Sequence, residues 1–220
     1  MINADFQTVP LFKGLLQGEI EKFIKATGTT FKSYPRGERI LEAYAPNANF
    51  GVIVTGEAQI LSLDWLGNET VGHTIESGAI FGTVSAILGE DALATSVRLT
   101  LDSTVMWIPY RSLLISGPQL GKIHGIVMKN LLEAFSLKNV LMMQKVELLS
   151  QKTLRERVIM YLIQREKRQQ SEWVKVPGRV QFAKELECNR SALTREISQM
   201  QADGLVECGD RWMKLNKGKI

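Results

Sequence analysis

The sequence lacks the features that mark secreted, disulfide-rich and membrane-spanning proteins. Only two of its 220 residues are cysteines, Cys188 and Cys208, which are too few for a disulfide framework and fit a reducing compartment. No run of about 18 apolar residues occurs, so we expect no membrane-spanning helix. The first residues show no basic segment followed by an apolar stretch, so we recognise no secretory signal. These absences favour a cytoplasmic protein.

Histidine is scarce, which argues against most metal and cofactor chemistry. A cupin-like enzyme needs two or three histidines and a carboxylate around a metal, and residues 1–116 contain only His73. An iron–sulfur sensor needs about four thiolates for each cluster, and this region contains no cysteine. Neither a Gly-x-Ser-x-Gly elbow nor a phosphate-binding P-loop is found. We therefore predict no catalytic residue, no metal site and no cofactor, and a cupin-like enzyme is the alternative from another class.

Charge is unevenly distributed along the chain. Residues 1–149 carry 12 Lys and Arg against 14 Asp and Glu, a net charge of −2. Residues 150–220 carry 15 against 9, a net charge of +6. A basic tail behind a mildly acidic front indicates a polyanionic partner, although a solubilising basic surface explains the charge equally well.

The first 116 residues have the pattern of antiparallel β-structure. Short segments rich in β-branched and aromatic residues alternate with glycines spaced by about ten residues. Gly67-Asn68, between two such segments, predicts a hairpin turn. A short amphipathic helix with Ile20, Phe23 and Ile24 on one face is expected before the strands. We predict a β-roll, or jelly roll, over residues 1–116.

From residue 117 to residue 150 the apolar pattern becomes that of one long helix. Apolar and amide residues recur at alternating spacings of four and three, a heptad seam that predicts pairing with a second copy of the chain. The predicted dimer interface consists of Ile123, Val127, Asn130, Ala134, Leu137, Leu141, Gln144 and Leu148. In that interface the buried amides of Asn130 and Gln144 would fix the register of the two helices. A second apolar line, expected to face back onto the β-roll, consists of Leu131, Phe135, Met142 and Leu149. A helix merely buried in its own domain is the alternative.

Residues 151–220 combine helices with a terminal hairpin. Thr153 and Glu156 have the spacing of a capping box and open one helix. Two short helices follow, over Phe182–Leu186 and Ala192–Met200, and then a two-stranded hairpin around Gly209-Asp210. Two short helices joined by a tight connection and followed by a hairpin predict a winged helix-turn-helix.

The second helix of this pair has an outward face suited to DNA. Asn189 can cap the helix, and Leu193 and Ile197 are apolar where it packs inward. The outward residues near its N-terminus are Arg190, Ser191, Thr194 and Arg195. Arginine binds guanine O6 and N7 with two hydrogen bonds or holds a phosphate, and hydroxyls bond to either. Gln181, directly before the preceding helix, completes the candidate DNA contacts, and an ordinary helical pair with a charged face is the alternative.

A glycine-punctuated β-roll, a long helix and a winged helix-turn-helix, in this order, resemble the Crp/Fnr superfamily of bacterial transcription regulators. The resemblance covers residues 8–215 and is most specific over residues 50–60, 78–82, 154–162 and 181–197. It implies an α+β fold and a homodimer that reads a palindromic operator in double-stranded DNA. It further implies a small-molecule effector in the β-roll, contact with RNA polymerase if the protein is an activator, and Arg190, Ser191 and Arg195 as base-reading residues with Thr194 beside them.

The chain departs from the cyclic-nucleotide-binding members of that superfamily. Those members carry a glutamate for the ribose and an arginine for the cyclic phosphate, whereas Thr83 and Ala94 stand at these positions here. Arg98 lies four residues further along a strand, or about 13 Å. Met142 and Met143 fall where such members place base-contacting hydroxyls, and they suit an apolar or aromatic effector. The candidate effector pocket consists of Phe81, Gly82, Thr83, Val84, Ser85, Ala94, Thr95, Ser96, Met142 and Met143.

Three functional hypotheses remain open at this point. The first is a dimeric regulator that responds to an effector other than cAMP or cGMP. The second is a regulator with no effector, whose β-roll keeps only a vestigial pocket. The third is a sensing module fused to a partner other than DNA. For the two regulator hypotheses, the predicted organisation is a β-roll over 1–116, a dimerisation helix over 117–150 and a DNA-binding domain over 151–220.

Overall fold

A computed structural model describes residue 6 and residues 9–89 and 94–219 of the chain. The chain divides into two compact units, one up to Ala134 and the other from Phe135 onward. The division falls inside a long helix, which lies within the segment predicted for dimerisation. The limits 1–116, 117–150 and 151–220 stay a functional prediction. Among the described residues, no helix combines the length and the hydropathy needed to cross a membrane.

The strands of the first unit form two four-stranded antiparallel sheets. They are β1 (Thr30–Tyr34), β2 (Arg39–Leu41), β3 (Asn49–Thr55), β4 (Glu57–Leu63), β5 (Glu69–Glu76), β6 (Ile80–Phe81), β7 (Thr95–Leu99) and β8 (Ser103–Pro109). One sheet has the order β1-β8-β3-β6 and the other the order β2-β7-β4-β5. Because both sheets contribute apolar side chains to one cluster, the sheets enclose a shared core, whose buried members are Ile53, Ala58, Phe81, Val97, Leu99 and Val105.

The predicted hairpin turn at Gly67-Asn68 is confirmed between β4 and β5. Gly67 has φ +82°, a left-handed conformation that glycine adopts without steric cost. The carboxylate of Asp64 accepts hydrogen bonds from the backbone N–H groups of Leu66 and Asn68, each at 2.8 Å. A further bond from the Asn68 side chain is the main reason that the pKa of Asp64 lies below its ordinary value.

Short helices accompany the sheets of the first unit. They are α1 (Gln17–Thr27), α2 (Thr83–Leu88), α3 (Tyr110–Ile115) and α4 (Gly117–Leu120), followed by the long α5 (Lys122–Leu149). The amphipathic helix expected before the strands is α1, which buries Ile20 and Phe23. Helix α2 was not predicted, because its six residues are too few to show a helical period.

Beyond the end of α5, the described residues of the second unit form three α-helices and a small sheet. The helices are α6 (Leu154–Gln169), α7 (Arg179–Glu185) and α8 (Arg190–Ala202), and the strands are β9 (Trp173–Lys175), β10 (Val206–Cys208) and β11 (Trp212–Leu215). The capping box predicted for α6 is present, since Thr153 and Glu156 exchange hydrogen bonds. The predicted hairpin is part of a three-stranded sheet, because β9 pairs with β11. Strand β9 was not predicted, because a segment of three residues is too short to show the alternating pattern of a strand.

Candidate nucleic-acid interface

Asn189 caps the N-terminus of α8, as the sequence predicted. Asn189 has an extended backbone, and its Oδ1 accepts a hydrogen bond from the backbone N–H of Ala192 at 2.7 Å. This bond satisfies one of the N–H groups that the first turn of a helix leaves without a partner. The same oxygen accepts a bond from Ser191 Oγ at 2.9 Å, so the hydroxyl of Ser191 is already engaged as a donor.

Helix α8 has a buried face and an exposed face. Leu193, Ile197 and Met200 are buried in the core of the second unit. The four predicted DNA-binding residues of α8 are exposed and line one shallow surface depression: Arg190, Ser191, Thr194 and Arg195. The apolar positions recur every three or four residues, so the period of the helix separates the two faces.

The polar groups of this depression differ in what they already bind. Thr194 Oγ1 donates to the backbone carbonyl of Arg190 at 2.9 Å, a bond within the helix. Within the part of the chain that the structure describes, the guanidinium groups of Arg190 and Arg195 make neither a hydrogen bond nor an ion pair. Two cations that border one depression and have unused donors can bind a base edge or a phosphate, and the two hydroxyls keep their acceptor capacity.

Gln181 is exposed on α7, outside the depression on α8. Its amide nitrogen lies 3.4 Å from Glu185 Oε1 on the same helix, at the long end of hydrogen-bond distances. The side chain is therefore only weakly held by α7 and can turn toward a partner.

The turn between α7 and α8 is built without glycine. Glu187 has φ +51°, in the left-handed region that glycine or asparagine usually occupies. Its carboxylate forms an ion pair with Lys145 Nζ at 3.3 Å. Cys188, next in the chain, packs against the core of the unit, and burial raises the pKa of its thiol. Cys208 lies at the end of β10, and its pKa is raised by the same cause.

Two arginines of α6 stabilise the helix pair instead of facing outward. Arg157 donates to the backbone carbonyl of Leu186 at the end of α7, at 3.2 Å. Arg165 forms an ion pair with Glu185 at 3.1 Å, and its guanidinium lies 5.0 Å from the centre of the Tyr161 ring. The net charge of +6 over residues 150–220 therefore overstates the number of cations available to a polyanion.

Arg211 is an exposed cation that sequence reasoning missed. It lies in the turn between β10 and β11, and its backbone carbonyl accepts a hydrogen bond from Val176 N at 2.9 Å. This bond holds the turn, while the side chain stays exposed. Its position directly after Gly209-Asp210, at the expected tip of the hairpin, was the available signal.

Phe81, the first residue of the predicted effector pocket, is packed inside its own unit. The ring of Phe81 is buried and lies 5.4 Å, centre to centre and edge to face, from Trp107. A Cβ atom on Gly51 would lie 2.2 Å from the Phe81 ring, so the ring fills the space above that glycine. Phe81 is therefore a core residue that packs over Gly51 of the neighbouring strand β3.

The turn after Phe81 is held by Asn47. The amide nitrogen of Asn47 donates to the Gly82 carbonyl and to Ser85 Oγ, both at 2.9 Å. Ser85 Oγ in turn donates to the Gly82 carbonyl at 3.1 Å. Thr83 is buried and Val84 is 36% exposed. Internal hydrogen bonds thus engage the Gly82 carbonyl and the Ser85 hydroxyl.

The second part of the predicted pocket lies before and along β7. The backbone carbonyl of Ala94 accepts from Leu63 N at 2.9 Å, and Thr95 is half-buried. Ser96 is buried, and its hydroxyl has no hydrogen-bond partner among the described residues. Leu93, which precedes this segment, lies outside the described residues.

Arg98 lies on the face of its sheet that points away from the core. Its neighbours Val97 and Leu99 are core members, and successive residues of a strand alternate between faces. There Arg98 Nη1 lies 3.5 Å from Glu69, whose other oxygen pairs with Arg39 at 2.7 Å. Arg98 is thus part of a surface ion-pair cluster and does not enter the interior of the roll.

Most residues of the predicted dimer seam make contacts within their own chain. In the first unit Ile123 and Val127 are 7% and 0% exposed, and Asn130 Nδ2 donates to the carbonyls of Leu11 and Lys13 at 2.9 and 2.8 Å. These three residues face their own unit, so the expectation that Asn130 sets dimer register is not supported.

At the other end of the seam, two residues make contacts within the second unit. Leu148 is buried in its core, and Gln144 Oε1 accepts a hydrogen bond from Arg168 at 2.6 Å. Ala134, Leu137 and Leu141 stay exposed. The other large apolar side chains of α5 that are exposed are Leu132, Val140, Met142, Met143 and Val146. Met142, predicted to face the roll and to line the effector pocket, is 62% exposed, and Met143 is 64% exposed.

Comparison with known proteins supports the architecture. Residues 31–114 match the family model of the cyclic nucleotide-binding domain. The catabolite activator protein of Thermus thermophilus superposes with a TM-score of 0.56 at 19% identity, over 94% of both chains. This chain has the fold of the Crp/Fnr regulators. The α+β fold and the resemblance predicted from the sequence are confirmed at that level.

Further structures agree with the Crp/Fnr fold. CprK complexed with OCPA superposes with a TM-score of 0.60 at 10% identity, over 89% of both chains. A cyclic nucleotide-binding domain from Methylobacillus flagellatus superposes with a TM-score of 0.51 at 19% identity, over 59% of this chain and 74% of that one. No curated protein sequence matches the chain.

Proposed function

We propose that the protein is a homodimeric, sequence-specific DNA-binding transcription regulator of the Crp/Fnr type, acting in the cytoplasm. The observation that carries the proposal is the exposed pair Arg190 and Arg195 at the N-terminal end of a capped helix, with unused guanidinium donors. Ser191 and Thr194 lie between them. The N-terminal residues of a recognition helix are those that reach base edges in the major groove. RNA polymerase is a further partner if the regulator is an activator.

The dimer is proposed to form through the apolar residues of α5 that neither unit covers. A spacing of four and three is also found for Met128, Leu132, Phe135, Asn139, Met142, Val146 and Leu149. Leu132, Met142 and Val146 are each at least 60% exposed. We assign Leu132, Asn139 and Val146 to position a of the heptad. At that position a β-branched residue such as Val146 and a single amide such as Asn139 favour a parallel two-stranded pair.

The oligomeric state tests this seam. Val146→Glu places a charge in the proposed interface, so we expect a shift from dimer to monomer in sedimentation at micromolar concentration. Glu133→Lys, an exposed charge reversal at a b position of the same heptad, faces away from the proposed seam and is the control, which should leave the dimer intact. A dimer that survives Val146→Glu but is lost with Leu137→Glu would return the interface to the seam first predicted.

We further propose that the effector is not cAMP or cGMP. Thr83 and Ala94 supply neither the carboxylate nor the guanidinium that a cyclic nucleotide requires, and Arg98 is paired with Glu69. The ring of Phe81 and the amide of Asn47 occupy space and polar groups at the turn where such a ligand would bind. The same two observations favour the alternative in which no effector binds and the β-roll serves as a framework.

Selection of duplexes from a random pool by the effector-free full-length protein, at near-physiological salt, tests the function. A recovered palindrome with half-sites about one helical turn apart supports a dimeric reader. It would also show that binding needs no ligand, in favour of the effector-independent regulator. Selection repeated with small aromatic and acidic metabolites follows if no sequence is enriched. Enrichment by one compound would identify an effector, and uniform failure would overturn the proposal.

A further inference from the structure

One arginine of α6 contacts two carboxylates at different heights along α8. Arg155 Nε donates to Glu196 Oε1 at 2.7 Å, and Arg155 Nη1 donates to Asp203 Oδ2, also at 2.7 Å. Glu196 lies in the middle of α8 and Asp203 directly follows its last residue. Seven residues separate them, which is about two helical turns, or about 10 Å along the axis.

Two contacts at separate heights restrict a helix more than one contact does. A single hydrogen bond leaves α8 able to pivot, whereas two bonds from one rigid, planar guanidinium restrict both its rotation and its sliding. Leu193, Ile197 and Met200 hold the other side of α8 by apolar contacts, which are not directional. Arg155 therefore supplies directional bonds that set the orientation of α8 on α6.

The orientation of α8 decides where the side chains of Arg190 and Arg195 point. Arg195 directly precedes Glu196, so a rotation that moves one moves the other. A rotation of about 20° displaces a group at the outer radius of a helix, about 6 Å, by about 2 Å. Such a displacement breaks a hydrogen bond to a base edge, whereas a contact to a phosphate tolerates it better because the attraction is long-ranged.

Stability explains only part of this arrangement. The side chains of Arg155, Glu196 and Asp203 are 37%, 19% and 49% exposed. The pair with Asp203 is accessible to water and contributes little to the free energy of unfolding, because solvent screens it, whereas the less exposed pair with Glu196 contributes more. Two short bonds from one guanidinium to separate turns of α8 also fit a role in alignment.

We propose that Arg155 is a positioning residue, which sets the orientation of the recognition helix through Glu196 and Asp203 and thereby the sequence specificity of DNA binding. The inference rests on the proposed DNA-binding function. It assigns specificity to a side chain that does not itself read bases.

The test compares affinity for the duplex recovered by selection with affinity for a scrambled duplex of equal length, in the full-length protein. For Arg155→Met we expect an approximately tenfold loss on the recovered duplex, within the range of one lost base contact, and no change on the scrambled one. Arg155→Lys should lose part of this discrimination, because one ammonium does not reproduce the bonds of a guanidinium. Lys167→Met removes one exposed cation from the same helix and should leave the ratio unchanged.

Other roles for Arg155 give different results. A direct phosphate contact would weaken both duplexes alike and lower the salt slope by about one. A purely structural role would weaken both duplexes alike and lower the melting temperature. Either result overturns the positioning role, as does additivity in the double variant Arg155→Met with Glu196→Ala, because residues acting through one contact are not additive.

The two proposals fail in distinguishable ways. If the wild-type protein discriminates between duplexes and Arg155→Met discriminates equally well, only the positioning role is wrong. If the wild-type protein enriches no duplex under any condition, the DNA-binding function is wrong, and the positioning role with it.

Discussion

The turn after Phe81 in the first unit and the N-terminus of α8 in the second were both predicted to bind a ligand, and they differ in what their polar groups already do. At the turn, Asn47 donates to Gly82 and Ser85, so the chain satisfies its own acceptors. On α8, the guanidinium groups of Arg190 and Arg195 border one depression and make no such bond within the described residues. A charged group left exposed and without a partner is available to an outside molecule, whereas a satisfied turn stabilises the fold.

The largest expected effect tests the turn as packed structure. Phe81→Ala should lower the free energy of unfolding by about 3–5 kcal/mol, because a fully enclosed ring is lost from the core of the roll. Urea denaturation followed by tryptophan fluorescence measures this, since Trp107 contacts the ring. Phe81→Leu, which keeps most of the volume, is the control and should cost less. A loss below about 1.5 kcal/mol for the alanine variant would mean that the ring borders an open pocket and is not part of a filled core.

The next effect tests the exposed arginines. Arg190→Ala and Arg195→Ala should each weaken binding to the recovered duplex by about 1–3 kcal/mol if each contacts a base with two bonds. The free energy of unfolding should change by less than about 0.5 kcal/mol, because neither side chain has an internal partner. Arg168→Ala, which removes an arginine bonded to Gln144, is the matched control for charge. Unchanged duplex binding in both variants would favour the module that binds a partner other than DNA.

A smaller effect on the free energy of unfolding is expected at Asn189, which caps the helix that carries the candidate DNA contacts. Asn189→Ala removes the acceptor for Ala192 N and should cost about 1 kcal/mol of unfolding free energy in the second unit. Asn189→Asp keeps an acceptor and should restore the stability. Thermal denaturation of both variants measures the difference. Equal losses in the two variants would show that the side chain acts by something other than capping.

Last in size is the effect of cyclic nucleotides on thermal stability, which we expect to be zero. At 1 mM, cAMP or cGMP should not raise the melting temperature, because the groups that bind cyclic phosphate are missing. A ligand present at 100 times its Kd would add about 2.7 kcal/mol of stability, which the measurement would detect. A clear rise in melting temperature would overturn the proposal and fit the family of the matched domain. It would also place binding at a turn where Asn47 already donates to the Gly82 carbonyl and to Ser85 Oγ.

Features coded by neighbouring residues were predictable from the sequence. The cap at Asn189, the capping box at Thr153 and the hairpin turn at Gly67 each depend on a few consecutive residues. Short-range hydrogen bonds and backbone preferences decide them without reference to the rest of the chain. The two faces of α8 were predictable for the same reason, since the spacing of Leu193 and Ile197 places both inward.

Features decided at long range were not predictable. Strand β9 pairs with β11 almost forty residues later, and its three residues carry no pattern of their own. The side on which Arg98 lies depends on strand register, and a shift by one residue reverses it. Arg155, Glu196 and Asp203 come together only because α6 packs against α8.

The sequence by itself determined the order of the elements, the capped helix that presents Arg190 and Arg195, and the presence of apolar lines along α5. These follow from local preference and periodicity. Only the tertiary structure decided which line remains exposed, because Asn130 binds carbonyls of Leu11 and Lys13 more than a hundred residues earlier and Leu148 enters the core of the second unit. Two apolar lines of equal spacing are equivalent until the surrounding chain covers one of them, and burial, which depends on the whole fold, is what distinguishes them.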